Sequence, residues 1–341
     1  MYPVLPTGRF AAIALAVMGF CLCGCGRHTP PAPDATPPEP LPNSPAEAAE
    51  ATYPLTVTDD EGIRITFDSA PDRIISMSPP LTEMLFALGL GDRVVGVTRF
   101  CNYPEEATAK AQIGGIADPS EEQIVALNPD VVFVTVGNPM PVIESLRQDG
   151  VRVYSANPGT YLEVAECIER IADVCDVPSA GAKVSGRMRR ALEAVQSKTR
   201  ALTDADKPRA LLIVSRDPLH VAGPGTYLSA MLETCGATNA AQKADNPWKQ
   251  YSVEMAVAAD PDLLILASDH VYVSGTAAQQ LRELRADEQW KDVKAVRDGE
   301  VTVIEGDLLF RAGPRLEEAL RQMAAAVHPK LFAPTAPPAP S

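Results

Sequence analysis

The sequence is poor in the side chains from which metal sites and catalytic sites are usually built. Its 341 residues include only four histidines, and no CxxC pair occurs beyond the first 25 residues. Zinc and iron–sulfur sites take their ligands from such residues, so no dedicated metal site is predicted. The GxSxG and HExxH motifs and a phosphate-binding glycine loop are also absent. The chain is therefore predicted not to be an enzyme, and an anchored hydrolase is the alternative.

Basic charge and long apolar runs are scarce as well. The formal net charge is −14, and an acidic surface repels the phosphates of nucleic acids. The N-terminal apolar run, residues 10–20, is shorter than the roughly 18 residues that a membrane-spanning helix needs. No nucleic-acid partner is predicted, and no contact with a membrane through a transmembrane helix.

The first 25 residues have the pattern of an export signal. Arg9 precedes the apolar run, which ends in the segment LCGC at residues 22–25. This ending resembles a bacterial lipobox, in which the last cysteine is lipidated and becomes the first residue of the mature protein. Cys25 fits that role better than Cys21 or Cys23, because it alone has glycine immediately before it and leucine three positions back. We predict an exported protein, anchored through Cys25 on the periplasmic side of a membrane, with an ordinary secretory signal as the alternative.

Proline-rich segments flank the body of the chain. Residues 26–54 and 329–341 combine many prolines with alanine and few large apolar side chains. Such segments bury too little apolar surface to offset the entropy of ordering, so both are predicted to be disordered. The first would act as a semi-extended tether, at about 3.1 Å per residue, that holds residues 55–328 near the membrane.

Two segments of the body repeat each other weakly. Residues 120–135 read SEEQIVALNPDVVFVT and residues 252–267 read SVEMAVAADPDLLILA, with Ser, Glu, Val, Ala, Pro and Asp in the same places and no gap. An earlier match keeps the same order, since Met-Leu at 84–85 with Gly89 corresponds to Met-Leu at 231–232 with Gly236. The repeat predicts two related lobes with a ligand cleft between them. Chance similarity between two helix–strand segments is the alternative.

Strand and helix patterns alternate within residues 55–178 and again within residues 204–328. This alternation predicts an α/β fold of two similar lobes, each with a mostly parallel sheet flanked by helices. Residues 179–203 are predicted to form one long rigid helix that joins the lobes. Apolar side chains recur along that segment at helical spacing: Val184, Met188, Leu192, Val195 and Leu202.

Four parts of the body carry a resemblance to a known family. They read RIISMSP from Arg73, VVGVT from Val94 with CNYP following, GPGT from Gly223, and DLLFRAGPRL from Asp307. In order and spacing they resemble the helical-backbone class of periplasmic substrate-binding proteins, which serve ABC importers of metal chelates, and its cobalamin-binding branch in particular. The resemblance implies a monomer that carries cobalamin or another corrinoid as cargo. It also implies delivery to an ABC permease dimer with its ATPase subunits.

The resemblance further implies where the ligand binds. A flat corrin with amide arms needs apolar and aromatic walls and a few polar partners. Five residues are placed at the cleft on this basis: Pro79, Phe100, Trp248, Asp307 and Arg311. Core packing is the alternative for Phe100, and a surface salt bridge is the alternative for Asp307 with Arg311. His220, expected in a loop, or His270 could supply an axial imidazole to the metal of a chelate.

The repeated glutamates acquire a role from the same resemblance. Members of the family present one carboxylate from each lobe to arginines of the permease, and Glu122 and Glu254 occupy the matching positions. A solvated helix face is the alternative for both.

The sequence departs from the cobalamin-binding branch at Ile116 and Thr135, where relatives hold aromatic contacts. A ferric siderophore or haem is therefore the alternative ligand. A siderophore site would need basic residues in the cleft, for which Arg311, Arg99 and Arg216 are the candidates. A haem site would need a tyrosine or histidine that ligates the iron.

Overall fold

The valine- and isoleucine-rich runs of the first half of the body form one parallel sheet. The structure is a computed structural model that describes residues 52–241, 250–268 and 275–332. In the N-lobe, residues 52–177, the sheet order is β5-β4-β3-β6-β7, and an antiparallel hairpin of β1 with β2 precedes it. The strands are β1 (Leu55–Thr58), β2 (Arg64–Phe67), β3 (Ile74–Ser76), β4 (Val94–Val97), β5 (Ala111–Gln112), β6 (Val131–Val134) and β7 (Val153–Ser155).

The C-lobe, residues 204–332, has a sheet of the same kind. Its parallel strands lie in the order β10-β8-β11-β12, and β9 pairs with β8 in the antiparallel direction. The strands are β8 (Arg209–Arg216), β9 (Leu219–Val221), β10 (Thr238–Asn239), β11 (Leu263–Ser268) and β12 (Val301–Glu305).

Helices connect the parallel strands in both lobes, as crossover connections require. The N-lobe helices are α1 (Pro79–Ala87), α2 (Glu121–Ala126), α3 (Met140–Gln148) and α4 (Tyr161–Val174), and α5 (Pro178–Thr199) joins the lobes. The C-lobe helices are α6 (Tyr227–Thr234), α7 (Val253–Ala259), α8 (Ala277–Ala286), α9 (Lys294–Asp298), α10 (Gly306–Phe310), α11 (Leu316–Val327) and α12 (Pro329–Phe332). The predicted fold class, two α/β lobes joined by one long helix, is confirmed.

The same hydrogen bond recurs at matching positions of the two lobes. Asp130 Oδ2 accepts from the backbone amide of Arg73 at 2.8 Å, and Asp262 Oδ2 accepts from that of Arg209 at 2.8 Å. The residue two positions before each aspartate has a left-handed backbone, with φ of 46° and 40°. Asp130 thus holds the start of β6 beside that of β3, and Asp262 holds the start of β11 beside that of β8. This shared contact explains why the aspartate occurs in both halves of the repeat.

The joining helix α5 ends earlier than the apolar spacing predicts. It spans Pro178–Thr199, whereas residues 179–203 were expected to be helical, and a short 3₁₀ turn follows at Asp204–Asp206. Near its start, a Cβ atom on Gly181 would lie 2.6 Å from the Cβ of Ala172. Glycine is therefore needed where α5 crosses α4 at close range.

The folded body extends slightly beyond its predicted limits at both ends. Tyr53, expected in the tether, donates from its hydroxyl to the carbonyl of Val174 at 2.9 Å. Residues 329–332, expected in the tail, form α12. Both segments contact folded elements, because each carries an aromatic side chain that packs against the apolar core, Tyr53 and Phe332.

One apolar core passes through both lobes. Met84 of α1, Met188 of α5, Leu309 of α10 and Leu320 of α11 are all fully buried members of the same cluster. Two smaller clusters cover the opposite faces of the two sheets. A shared, close-packed core resists large movements of one lobe against the other, because the packing has few alternative arrangements.

Met188 provides a test of this shared core. Met188→Ala is expected to lower the free energy of unfolding by about 2–5 kcal/mol, because it removes a fully buried side chain and leaves a cavity. Chemical denaturation measures the loss, with Lys183→Ala on the exposed face of α5 as the control. If Met188→Ala lost no more stability than the control, the continuous core would be contradicted.

Candidate functional site

The carboxyl ends of the parallel strands bring together most of the residues predicted to bind a ligand. Pro79 begins α1 just after β3, and Phe100 lies in the loop after β4. Asp307 lies in α10, which follows β12 directly, and Arg311 follows that helix. Ligands of open α/β sheets bind at this edge. The N-lobe and C-lobe loops at this edge are the candidate site.

Apolar side chains are exposed at this edge. Phe100 is 47% exposed, and the guanidinium of Arg99 lies 4.9 Å from its ring centroid, so Phe100 does not belong to the core. Val136, two residues after β6, is 81% exposed. Met140 at the start of α3 and Phe310 at the end of α10 are also exposed. Exposed apolar side chains on several strand-end loops are typical of a surface that binds an apolar partner.

Asn138 holds three of the N-lobe loops together, a role that the sequence analysis missed. Its side-chain amide donates to the carbonyl of Met77, after β3, and to that of Ile116, after β5, both at 3.0 Å. Its side-chain oxygen accepts from the amide of Thr135, after β6, at 2.8 Å. Ile116 and Thr135 are thereby placed on neighbouring loops of one edge. The only sequence signal was an Asn-Pro pair after a buried strand.

Glu83 forms an ion cluster that joins the lobes. This N-lobe residue of α1 is 1% exposed, and its Oε1 accepts from Arg311 Nη1 at 2.9 Å. Both of its oxygens accept from Arg315, at 2.7 and 2.8 Å, and this bidentate contact raises the pKa of Arg315. Arg311 also contacts Asp307 at 2.6 Å. The predicted pair is therefore part of a largely buried cluster and not an isolated surface salt bridge, and its partner Glu83 was not predicted.

The other two candidate basic residues also have acidic partners. Arg99 Nη2 lies 2.9 Å from Asp118 Oδ1. Arg216 Nη1 lies 3.3 Å from Glu283 Oε2, and its other nitrogen lies 4.0 Å from Asp287. Each arginine considered for an anionic chelate is thus neutralised by a carboxylate of the chain itself.

His220 lies on a strand and not in the loop where it was expected. It is the central residue of β9, which pairs with the end of β8 and so lies near the same edge. Its Nδ1 is 3.0 Å from the carbonyl of Pro218. Because a carbonyl can only accept, this contact favours the proton on Nδ1 and leaves Nε2 with a lone pair. Trp248 and His270 lie outside the described residues.

The repeated glutamates lie on matching short helices. Ser120 caps α2 and Ser252 caps α7, each through its hydroxyl, and the exposed Glu122 and Glu254 follow two positions later. Hydrogen bonds to the backbone and then to the Ser252 side chain lower the pKa of Glu254. Beside the two carboxylates lie exposed apolar side chains, Val125 on α2 and Met255 on α7.

A cavity of about 760 Å³ lies beside α1 and α5. It is lined by the end of α1, the loop at residues 103–110, Arg187 of α5 and Arg315. Arg315 also lies over the ring of Tyr103, 4.1 Å from its centroid. The lining of the cavity also includes Glu83, so the cavity adjoins the ion cluster that Glu83 forms with Arg315.

None of the helices in the described residues is both long and apolar enough to cross a membrane. Within the same ranges, no group of three histidine, cysteine or acidic residues is arranged to hold a metal ion.

Comparisons with known proteins agree with this architecture and with the resemblance in the sequence. The chain is 27% identical over 330 residues to an uncharacterised ABC transporter substrate-binding lipoprotein, YvrC, of Bacillus subtilis, covering 95% of this chain and 98% of that one. The crystal structure of the periplasmic vitamin B12-binding protein BtuF of Vibrio cholerae superposes with a TM-score of 0.65 and 26% identity, covering 75% and 96% of the chains. The periplasmic haem-binding protein RhuT of Roseiflexus sp. RS-1 superposes with a TM-score of 0.66 and 26% identity, covering 77% and 100%.

A family model supports the same assignment independently. The model described as periplasmic binding protein matches residues 74–308, which include β3 to β12 and the joining helix. The members of this family bind solutes and are not enzymes. The chain therefore belongs to the periplasmic binding protein family, as a substrate-binding protein of the ABC transporter class.

Proposed function

We propose that this protein captures cobalamin or a related corrinoid between its lobes and delivers it to an ABC permease. It acts as a carrier and performs no chemistry on the ligand. The observation that carries this proposal is the neutral, partly apolar character of the strand-end loops. Phe100, Val136 and Phe310 supply apolar surface there, and the nearby arginines are paired with carboxylates of the chain.

The pairing of the arginines argues against an anionic siderophore. A ferric siderophore with several negative charges needs unpaired cations, because burying an unpaired charge is costly. Arg99, Arg216 and Arg311 would each have to leave a carboxylate to supply one. A corrin whose arms end in neutral amides needs hydrogen-bond partners and apolar contact instead.

Haem is the second candidate, supported by the likeness to the haem-binding protein of Roseiflexus. His220 supplies one observation in its favour, because its Nε2 is left with a lone pair near the strand ends. The same imidazole would suit the cobalt of a corrinoid, so His220 alone does not separate the two ligands.

The anchor and the partners complete the proposal. Cys25 carries the lipid, and the proline-rich segment that begins at residue 26 forms the tether. Glu122 and Glu254 contact the two permease subunits. The substrate-binding protein of Bacillus subtilis that resembles this chain is itself named a lipoprotein. The body acts as a monomer, and the ligand is cargo and not a cofactor.

A spectroscopic titration tests the ligand. The chain carrying Cys25→Ser, purified without detergent, is incubated with cyanocobalamin, cobinamide, haemin and a ferric siderophore, and its visible spectrum is recorded after gel filtration. Corrinoid is expected to elute with the protein at a ratio of about one to one, as one cleft implies. Retention of haemin or siderophore without corrinoid would contradict the proposal.

Two aromatic variants test the site in the same assay. Phe100→Ala and Trp248→Ala are each expected to weaken corrinoid binding by about 1–3 kcal/mol, the size found for aromatic anchors. Leu162→Ala is the control, because Leu162 is similarly exposed but lies on α4. Unchanged affinity in Phe100→Ala would show that the ligand does not bind at the strand ends, and unchanged affinity in Trp248→Ala would reject the role predicted for Trp248.

A further inference from the structure

Glu83 neutralises two arginines near the candidate site. It is the buried acceptor of Arg311 and Arg315, which come from the other lobe. Among the ion pairs of the described residues, those that connect N-lobe and C-lobe side chains directly both end on this carboxylate. Arg311 is held on its other side by Asp307, whose carboxylate is the most exposed member of the cluster.

The cluster has no net charge. Glu83 and Asp307 contribute two negative charges, and Arg311 and Arg315 contribute two positive charges. Asp307 is 34% exposed, whereas the two guanidinium groups are largely buried against carboxylates. A ligand that reaches this part of the edge therefore meets a carboxylate, and the arginines that would attract an anion are occupied.

We propose that Glu83 is a specificity-determining residue that acts through Arg311 and Arg315, and that its negative charge makes the cleft select neutral chelates over anionic ones. This proposal rests on the proposed function, because it concerns the ligand of the same site. Removing the charge leaves the cluster with a net charge of +1 and one arginine without its buried partner. The freed guanidinium then favours a carboxylate on the ligand.

The test compares two ligands of nearly the same shape. Cyanocobalamin is used beside its monocarboxylic acid, made by hydrolysis of one peripheral amide, and affinities are measured by calorimetry at two salt concentrations. The native chain is expected to bind the neutral ligand more tightly. Glu83→Gln, which keeps the shape of the side chain, is expected to shift the affinity ratio about tenfold towards the acid, with a smaller shift at high salt.

A second variant changes the charge in the opposite direction. Arg315→Gln leaves the cluster with a net charge of −1, so the ratio is expected to move towards the neutral ligand. A shift of the affinity ratio towards the neutral ligand cannot come from a loss of packing alone. Arg315→Gln therefore keeps the proposal testable if Glu83→Gln does not fold. The double variant Glu83→Gln, Arg315→Gln restores zero net charge and is expected to bring the ratio back towards that of the native chain.

The matched control removes another carboxylate from an arginine pair. Glu169 on α4 contacts Arg189 and Ser185 of α5, and its loss should leave the ratio unchanged in Glu169→Gln. Equal ratios in the native chain, Glu83→Gln and Arg315→Gln would overturn the role of Glu83. A native chain that binds neither corrinoid would instead overturn the proposed function, so the two failures are distinguishable.

Discussion

The double variant Glu122→Ala, Glu254→Ala is expected to bind corrinoid as tightly as the native chain but to lose most ligand uptake. Both side chains are exposed at the same position of matching helices, one in each lobe. A permease dimer offers two equivalent surfaces, so one carboxylate per lobe suits one subunit each. Exposed charges at an interface mainly set orientation and association rate, so uptake should fall about tenfold or more, and each single variant should lose less.

The measurement is uptake into vesicles that contain the permease, beside calorimetry on the free protein. Glu166→Ala with Glu193→Ala is the matched control, because it removes the same charge from exposed positions on α4 and α5. Salt should weaken uptake by the native chain, because it screens the attraction between exposed charges over a Debye length of about 8–10 Å near physiological ionic strength. Normal uptake by the double variant would reject docking through these helices, and lost ligand binding would place the glutamates in the cleft.

Cys25→Ser is expected to move the protein from the membrane fraction to the soluble fraction almost completely. The proposed lipid on Cys25 is the membrane attachment that this variant removes. Each buried CH₂ of an acyl chain contributes about 0.8 kcal/mol to membrane binding, and the variant loses the whole of that contribution.

Cys21→Ser and Cys23→Ser are the natural controls for this experiment. Both replace a cysteine of the same leader but leave the proposed lipidation site intact, so each should remain in the membrane fraction. Fractionation with immunoblotting and mass spectrometry of the mature N-terminus measure the outcome. A Cys25→Ser protein that stays membrane-bound would show that the anchor lies elsewhere.

The sequence by itself determined the architecture of this protein. Short runs of valine and isoleucine predict buried strands, and apolar residues at helical spacing predict helices. Both patterns are local, so they can be recognised in the sequence without the fold. The repeat was visible for a related reason. Ser120 and Ser252 cap their helices, and Asp130 and Asp262 fix strand starts, so the same local contacts kept the same residues in both lobes.

Only the tertiary structure decided which charges meet at the candidate site. Glu83 and Arg311 are 228 positions apart, and no local pattern links a glutamate within an apolar helix to an arginine after another helix. Asn138 likewise gains its role from two loops that precede it along the chain and from the amide of Thr135. His220 was misplaced because a three-residue strand such as β9 depends on pairing with β8 and not on its own sequence. Local propensity fixes the elements, whereas the chemistry of the cleft depends on side chains that only folding brings together.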